Sequence, residues 1–166
     1  MSRAYLSLGS NLDPVRHLRQ AVDELRARFG AIELSPVYRT RAVGFDGNDF
    51  LNAAAIIQTD LSPVALHDWL HALEDAHLRD RSGPRYGDRT LDIDIVLYDD
   101  VMLTGPANLR IPRPDLVHAF VLRPLAEIAP AVVVPGDGRT LAALWAVHPE
   151  RDTALETVPL VPAGPV

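Results

Sequence analysis

Gly83-Pro84-Arg85-Tyr86-Gly87-Asp88-Arg89-Thr90-Leu91-Asp92-Ile93-Asp94-Ile95-Val96-Leu97-Tyr98 runs from a loop of glycine, proline and arginine into an apolar strand that carries two aspartates. The strand portion is rich in Ile, Val and Leu, residues that fit a pleated, half-buried surface. Alternation along a strand puts Asp92 and Asp94 on one face and Leu91, Ile93, Ile95 and Leu97 on the other. Side chains two apart on one face start roughly 6.5–7 Å from each other, so two carboxylates there can converge on divalent cations. Mg²⁺ is the default for all-oxygen ligands. Two solvated aspartates on the outer face of an antiparallel strand would read the same way, so the strand alone leaves both meanings open. The preceding loop adds Arg79, Arg81, Arg85 and Arg89. Guanidiniums grip phosphate bidentately and stay charged, and glycines let a loop close over a ligand. Arginines beside a carboxylate pair suit a polyphosphate whose metals rest on the aspartates.

Outward from this stretch, composition sets the bounds. A chain of 166 residues, 48% apolar and 23% charged, is expected to form one domain with a sizeable core. We place that domain at residues 1–152, followed by a Pro-rich, loosely held tail at 153–166. Sixteen basic against 22 acidic residues argue against a general nucleic-acid or anionic-membrane surface. The absence of cysteine excludes disulfides, thiol chemistry and zinc sites of the Cys type. The first apolar segment is too short for a signal-peptide core, and no run reaches the length of a membrane span. The expectation is a soluble, cytoplasmic protein, acting as a monomer.

In chain order, residues 4–9 alternate as a first strand. Asp13 then caps a helix with Pro14 at its first position, and Leu18, Ala21, Val22 and Leu25 recur at helical spacing up to Gly30. Ser10 and Asn11 either cap and turn or offer donors to an anion. Residues 32–41 read as a strand disturbed by Pro36, and residues 50–59 as another. Asn52 sits inside that apolar run, where a buried amide must find partners: it ties down the neighbouring loop or reads a ligand. Ser62-Pro63 opens a second helix with Leu66, Trp69, Leu70 and Leu73 on one side and His71 and Glu74 on another. Residues 108–114 are extended, 116–128 mostly helical with a break or kink expected at Pro124, 132–134 a short strand and 140–147 a short helix. The order β-α-β-β-α-β is the α+β, ferredoxin-like arrangement: an antiparallel sheet with helices on one face, here with C-terminal additions. Asp92 and Asp94 would need to point to the other face. The fold alone does not decide function.

The run Gly87-Asp88-Arg89-Thr90-Leu91-Asp92-Ile93-Asp94-Ile95 closely resembles the signature of the 6-hydroxymethyl-7,8-dihydropterin pyrophosphokinase family of folate biosynthesis. Leu8-Gly9-Ser10-Asn11-Leu12, Tyr38-Arg39-Thr40, Phe50-Leu51-Asn52-Ala53-Ala54 and the segment from Phe120 to Pro130 agree in order and spacing, so the resemblance spans roughly residues 4–145. It implies an ATP-dependent diphosphotransferase that moves the β,γ-diphosphate of ATP to the pterin hydroxymethyl group and releases AMP. By resemblance, Asp92 and Asp94 bind two Mg²⁺ ions, and Arg79 and Arg89 are catalytic loop arginines on the phosphates. Arg81 and Tyr86 close over ATP, Glu74 lies on the nucleotide side, and Leu109, Arg110 and Arg113 fall in the segment lining adenine and ribose. Thr40 and Asn52 match pterin hydrogen-bonding positions, with main chain around Val43. Phe120 matches a ring that stacks on the pterin, with Phe50 beside it. Such chemistry needs positioning and charge neutralisation more than covalent catalysis.

The chain departs from the pattern on the ATP side. Arg113 stands where the family usually has His, Tyr86 replaces a common Trp, and His118 takes the place of an expected Arg before Phe120. Two other readings follow: a relative that binds nucleotide or pterin without efficient transfer, and a ferredoxin-like nucleic-acid or regulatory module. Net charge of −6 counts against the latter.

Overall fold

Ala4, Leu6 and Leu8 point to one side of the first strand and Tyr5 to the other, and this alternation sets up a sheet buried on both faces. The structure is a computed structural model and describes residues 1–40, 49–78 and 90–160. Its elements are β1 (Ser2–Ser10), α1 (Pro14–Phe29), β2 (Glu33–Leu34), β3 (Tyr38–Thr40), β4 (Phe50–Thr59), α2 (Pro63–Leu78) and β5 (Asp92–Tyr98). There follow β6 (Leu103–Thr104), β7 (Arg110–Ile111), α3 (Ala119–Ile128) and α4 (Leu141–Ala146). The sheet order is β2-β4-β1-β5 with β3 also paired to β4, every pairing antiparallel. That is the expected ferredoxin-like arrangement.

α1 and α2 cover one face. Leu18, Ala21, Val22 and Leu25 of α1 and Leu66, Leu70 and Leu73 of α2 join Leu6, Leu8, Leu51, Ile57, Ile93 and Ile95 in the larger core. Burying a side chain of this size contributes roughly 1.5–3 kcal/mol over leaving it exposed. On the opposite face α3 and α4, the C-terminal additions, pack Val121, Leu122, Leu125 and Leu141 over Tyr5, Ala54, Ile56, Val96 and Leu97. Between Tyr5 and Leu6 the register slips by one residue of β5, so Val96 and Leu97 both join this second core while Asp92 and Asp94 keep their alternation. The helices of the ferredoxin-like unit therefore share one face, and the additions cover only part of the other.

Some local expectations come out differently. The strand expected over residues 32–41 is two strands, because Pro36 has no N–H for the ladder. Ser35 fills the gap: its N–H donates to the Ala54 carbonyl at 2.9 Å, and its Oγ accepts from the Ala54 N–H at 2.8 Å. Asp13 occupies the N-cap position of α1 but in a left-handed conformation, and its carboxylate pairs with Arg16 at 2.5 Å instead of capping the helix. The Ser62 hydroxyl does cap α2, accepting from the Ala65 N–H at 3.2 Å. Pro124 does not break α3. Its ring is buried in the helix's apolar face, and that packing offsets the one missing backbone donor. Residues 132–134 form a single bridge, Val133 to Thr140, instead of a strand.

The tail expected to be loosely held is, in its described part, laid along β3. Thr157 bridges to Tyr38, the Arg39 N–H donates to the Glu156 carbonyl at 3.0 Å, and the Val158 N–H donates to the Val37 carbonyl at 2.9 Å. Leu160 is buried in the larger core. No described helix is long and apolar enough to cross a membrane.

Candidate active site

The sheet register brings the main candidates into rows. Tyr38 of β3 pairs with Asn52 of β4, Asn52 with Gly9 of β1, and Gly9 with Asp92 of β5. In the next row on the same face Ala54 pairs with Ser7, and Ser7 with Asp94. Both rows lie on the α3 side, since the intervening Leu51, Ala53, Leu8, Ile93 and Ile95 belong to the other core. Adjacent strands are 4.7–4.9 Å apart, so the backbones of Asn52 and Asp92 stand about 10 Å from each other. Between them the sheet carries only a glycine and a serine. This is a trough with an amide on one wall and two carboxylates on the other. A Cβ on Gly9 would come within 2.9 Å of Asn52 Oδ1, so glycine is what lets the amide lean over β1.

The β4 wall is neutral and already paired. Asn52 is 5% exposed, and its Nδ2 donates to the Thr40 hydroxyl at 2.6 Å. Phe50 and Thr40 oppose each other at the mouth of the same ladder. Phe120 opens α3, and the His118 ring lies nearly parallel to it, 5.2 Å between centroids and 10° between planes. Next to these, a cavity of about 690 Å³ is bordered by Thr40, Phe120, Arg123, Trp145 and the tail.

The β5 wall is acidic. Asp94 meets Arg113 at 3.5 Å, and the same guanidinium holds Asp115 at 3.3 Å. Burial pushes the Asp94 carboxyl above its usual range; Arg113 pulls it down and Asp115 pushes it up again. Behind the strand, Glu74 of α2 accepts the Ile93 N–H at 2.8 Å, closing the unpaired side of an edge strand. Burial raises its pKa to about 7, against the hydrogen bond from Ile93 and with repulsion from Asp94 and Asp92. Arg113 thus answers Asp94 and Asp115, while Glu74 feels the charges of Asp94 and Asp92 with no cation of its own in that set.

With one guanidinium shared between Asp94 and Asp115, the excess of carboxylate fits a divalent cation, which would offset the remaining negative charge. Among the described residues no three His, Cys, Asp or Glu side chains stand together as a metal cage. Two aspartates that leave the remaining positions to water and phosphate oxygens are the donor set of a nucleotide-bound Mg²⁺.

The sequence candidates therefore divide. Asp92, Asp94, Thr40 and Asn52 share one face and one end of the sheet, with Phe50 beside Thr40 on the ladder. Arg113 reaches Asp94, and Phe120 borders the cavity next to Thr40. Arg110 is exposed on the β6–β7 hairpin, whereas the Leu109 side chain is 3% exposed within the larger core, which leaves only its main chain for a ligand. Arg79, Arg81, Arg85, Tyr86, Arg89 and Val43 lie outside the described residues. Sequence reasoning gave no role to Gly9 or Ser7, whose place between the walls is a matter of register. It also missed the Arg123 guanidinium, which lies 4.6 Å from the Tyr38 ring centroid and 5.9 Å from that of Trp145. A glycine closing an apolar strand was the one visible signal for the trough.

Comparison with known proteins decides the family. A profile of the 7,8-dihydro-6-hydroxymethylpterin-pyrophosphokinase family matches residues 5–130. The chain belongs to this family. It is 38% identical over 156 residues to the 2-amino-4-hydroxy-6-hydroxymethyldihydropteridine pyrophosphokinase of Pseudomonas aeruginosa, covering 90% of this chain and 93% of that one. It is 39% identical over 160 residues to the protein of the same name from Synechocystis, covering 88% and 80%. Among solved structures, the wild-type Plasmodium falciparum HPPK-DHPS superposes with a TM-score of 0.67 at 14% identity. The match covers 87% of this chain and 44% of that longer one, and it bears on the fold alone.

Proposed function

We propose that the trough between Asn52 and Asp92 is where this pyrophosphokinase brings ATP and 6-hydroxymethyl-7,8-dihydropterin together, within a single chain. The reaction of the family transfers the terminal diphosphate of ATP to the hydroxymethyl group. The pterin oxygen bonds to the β-phosphorus as the bridge to the α-phosphate breaks, AMP departs with that bridging oxygen, and the hydroxyl proton is lost. Asn52, fixed by Thr40, reads the amide-like edge of the pterin, with Phe120 and Phe50 offering apolar faces to its ring. Asp92 and Asp94 face the triphosphate and are the residues that would hold Mg²⁺, which, when bound, neutralises phosphate charge and orients the reacting oxygens. Arg79 and Arg89 take the phosphates, with Arg81 and Tyr86 beside them. Glu74, Leu109, Arg110 and Arg113 serve the nucleotide side.

The observation that carries this reading is the continuous row Tyr38–Asn52–Gly9–Asp92 in a chain of this family. It sets the Asn52 amide and the Asp92 carboxylate on opposite walls of one glycine-floored trough, which supports giving the pterin to one and the phosphates to the other. A second reading, binding without efficient transfer, rests on Arg113: its guanidinium already engages Asp94, the carboxylate that would serve the metal. Incubation with ATP, Mg²⁺ and the pterin, followed by chromatography, separates the two. AMP and pterin diphosphate in equal amounts support transfer. ADP would overturn the assignment of the transferred group, and saturable pterin binding without turnover would favour the second reading.

A further inference from the structure

The family profile ends at residue 130, and the described chain continues to residue 160. We infer that residues 153–160 are a positioning segment for the pterin side of the site: they hold β3 in place and wall the cavity that Thr40 and Phe120 border. This rests on the assignment of Thr40, Asn52 and Phe120 to the pterin.

The segment is tied down at both ends and along its middle. The Arg123 guanidinium donates to the Thr153 carbonyl at 2.8 Å. Glu156 accepts the Arg39 N–H at 3.0 Å and pairs with the Arg39 side chain at 3.2 Å. Thr157 bridges to Tyr38, the Val158 N–H donates to the Val37 carbonyl, and Leu160 is buried in the larger core. β3 thus has a partner on each side: β4, which carries Asn52, and the tail. β3 ends at Thr40, the residue that accepts from Asn52 Nδ2. Three residues pair with β4, too few to fix a strand alone. The second set of hydrogen bonds is what holds Thr40 in register with the amide.

The same residues form a wall. Thr153, Ala154, Leu155 and Glu156 line the cavity of about 690 Å³ together with Thr40 and Phe120. Arg123 links this wall to the floor, since its guanidinium lies against the Tyr38 ring and pairs with Glu127, which accepts the Tyr38 hydroxyl. The bonds that tie the described segment down run to Val37, Tyr38, Arg39 and Arg123, on the pterin side. Loss of the segment should register on the pterin and leave the nucleotide unaffected.

The test compares the full chain with a chain ending at Asp152 and with Val158→Pro, which keeps every other residue and removes the N–H that donates to Val37, the residue just before β3. KM values for pterin and ATP, kcat, pterin binding by fluorescence and Tm are measured for each. The expected result is a rise in pterin KM of at least about tenfold in the truncated chain. ATP KM should stay within about twofold, and a peptide of residues 153–160 added in trans should restore pterin binding. Val158→Pro should give the same split on a smaller scale, and it carries the test if the truncated chain does not fold. A folded truncation with unchanged pterin KM, or equal losses for both substrates, would overturn the inference. A full chain that takes up no pterin would remove the reading on which it rests, and the inference with it.

Discussion

Asn52 and Asp92 occupy one row of the sheet, two strands apart, yet their surroundings are opposite. Asn52 is buried and neutral and holds a short hydrogen bond to Thr40. On the other wall, Asp94 and Asp115 share Arg113, Glu74 feels the charges of Asp94 and Asp92, and burial drives Asp94 and Glu74 toward their protonated forms. The amide wall is organised before any ligand arrives. The carboxylate wall carries charge that asks for a cation from outside. One trough therefore divides its labour: shape and hydrogen bonding on β4, and charge compensation on β5.

The comparison breaks most sharply at Asp92. Asp92→Ala should lower the rate of AMP formation by roughly a thousandfold or more, since catalysis here is electrostatic positioning. Its Tm should stay within a few degrees, which a thermal melt beside the assay would check. Next comes Asn52→Ala, which removes the amide and leaves Thr40 without its donor. Pterin KM should rise on the order of tenfold to a hundredfold, as expected for one to three kcal/mol of lost polar contact, with ATP KM unchanged in steady-state kinetics. Gly9→Ala sharpens the comparison from the floor. Its methyl would meet Asn52 Oδ1 at 2.9 Å, so a loss of about tenfold in pterin affinity is expected, with a smaller effect on nucleotide binding.

The smallest effect lies behind β5. Glu74 keeps its proton up to about pH 7 in the folded chain, against 4.5 for the unreacted side chain. A carboxyl whose folded pKa is raised stabilises most below its unfolded pKa, and that stability is lost as pH rises through the folded value. The ligand-free protein should lose Tm between pH 4.5 and 7 from this group, and Glu74→Gln should lose less over that window in parallel melts.

Much of this was legible in the sequence. Alternation through residues 91–95 named the face of the aspartates, but the register slip beyond Ile95 moves Leu97 from the face expected for it to the opposite core. The helical spacing of Leu18, Ala21, Val22 and Leu25 named the buried side of α1. Asn52 stood out as a lone amide in an apolar run. Register was not legible: nothing local says that Gly9 lies between Asn52 and Asp92, because strand pairing is set by the whole fold. The tail misled for a related reason. Proline-rich composition suggested a loose end, yet alternate residues of it pair with the free edge of β3, and Leu160 finds a place in the core. Pro124 misled in the other direction, since local propensity predicts a break that tertiary burial overrides.

The division of labour is tested most directly by calorimetric titration of Mg²⁺·ATP into Asp92→Ala and Asn52→Ala side by side. The expected result is an Asn52→Ala chain that binds the nucleotide like the parent and an Asp92→Ala chain weakened by about tenfold or more. Equal losses in the two variants, or undiminished Mg²⁺·ATP binding to Asp92→Ala, would contradict the assignment of the two walls.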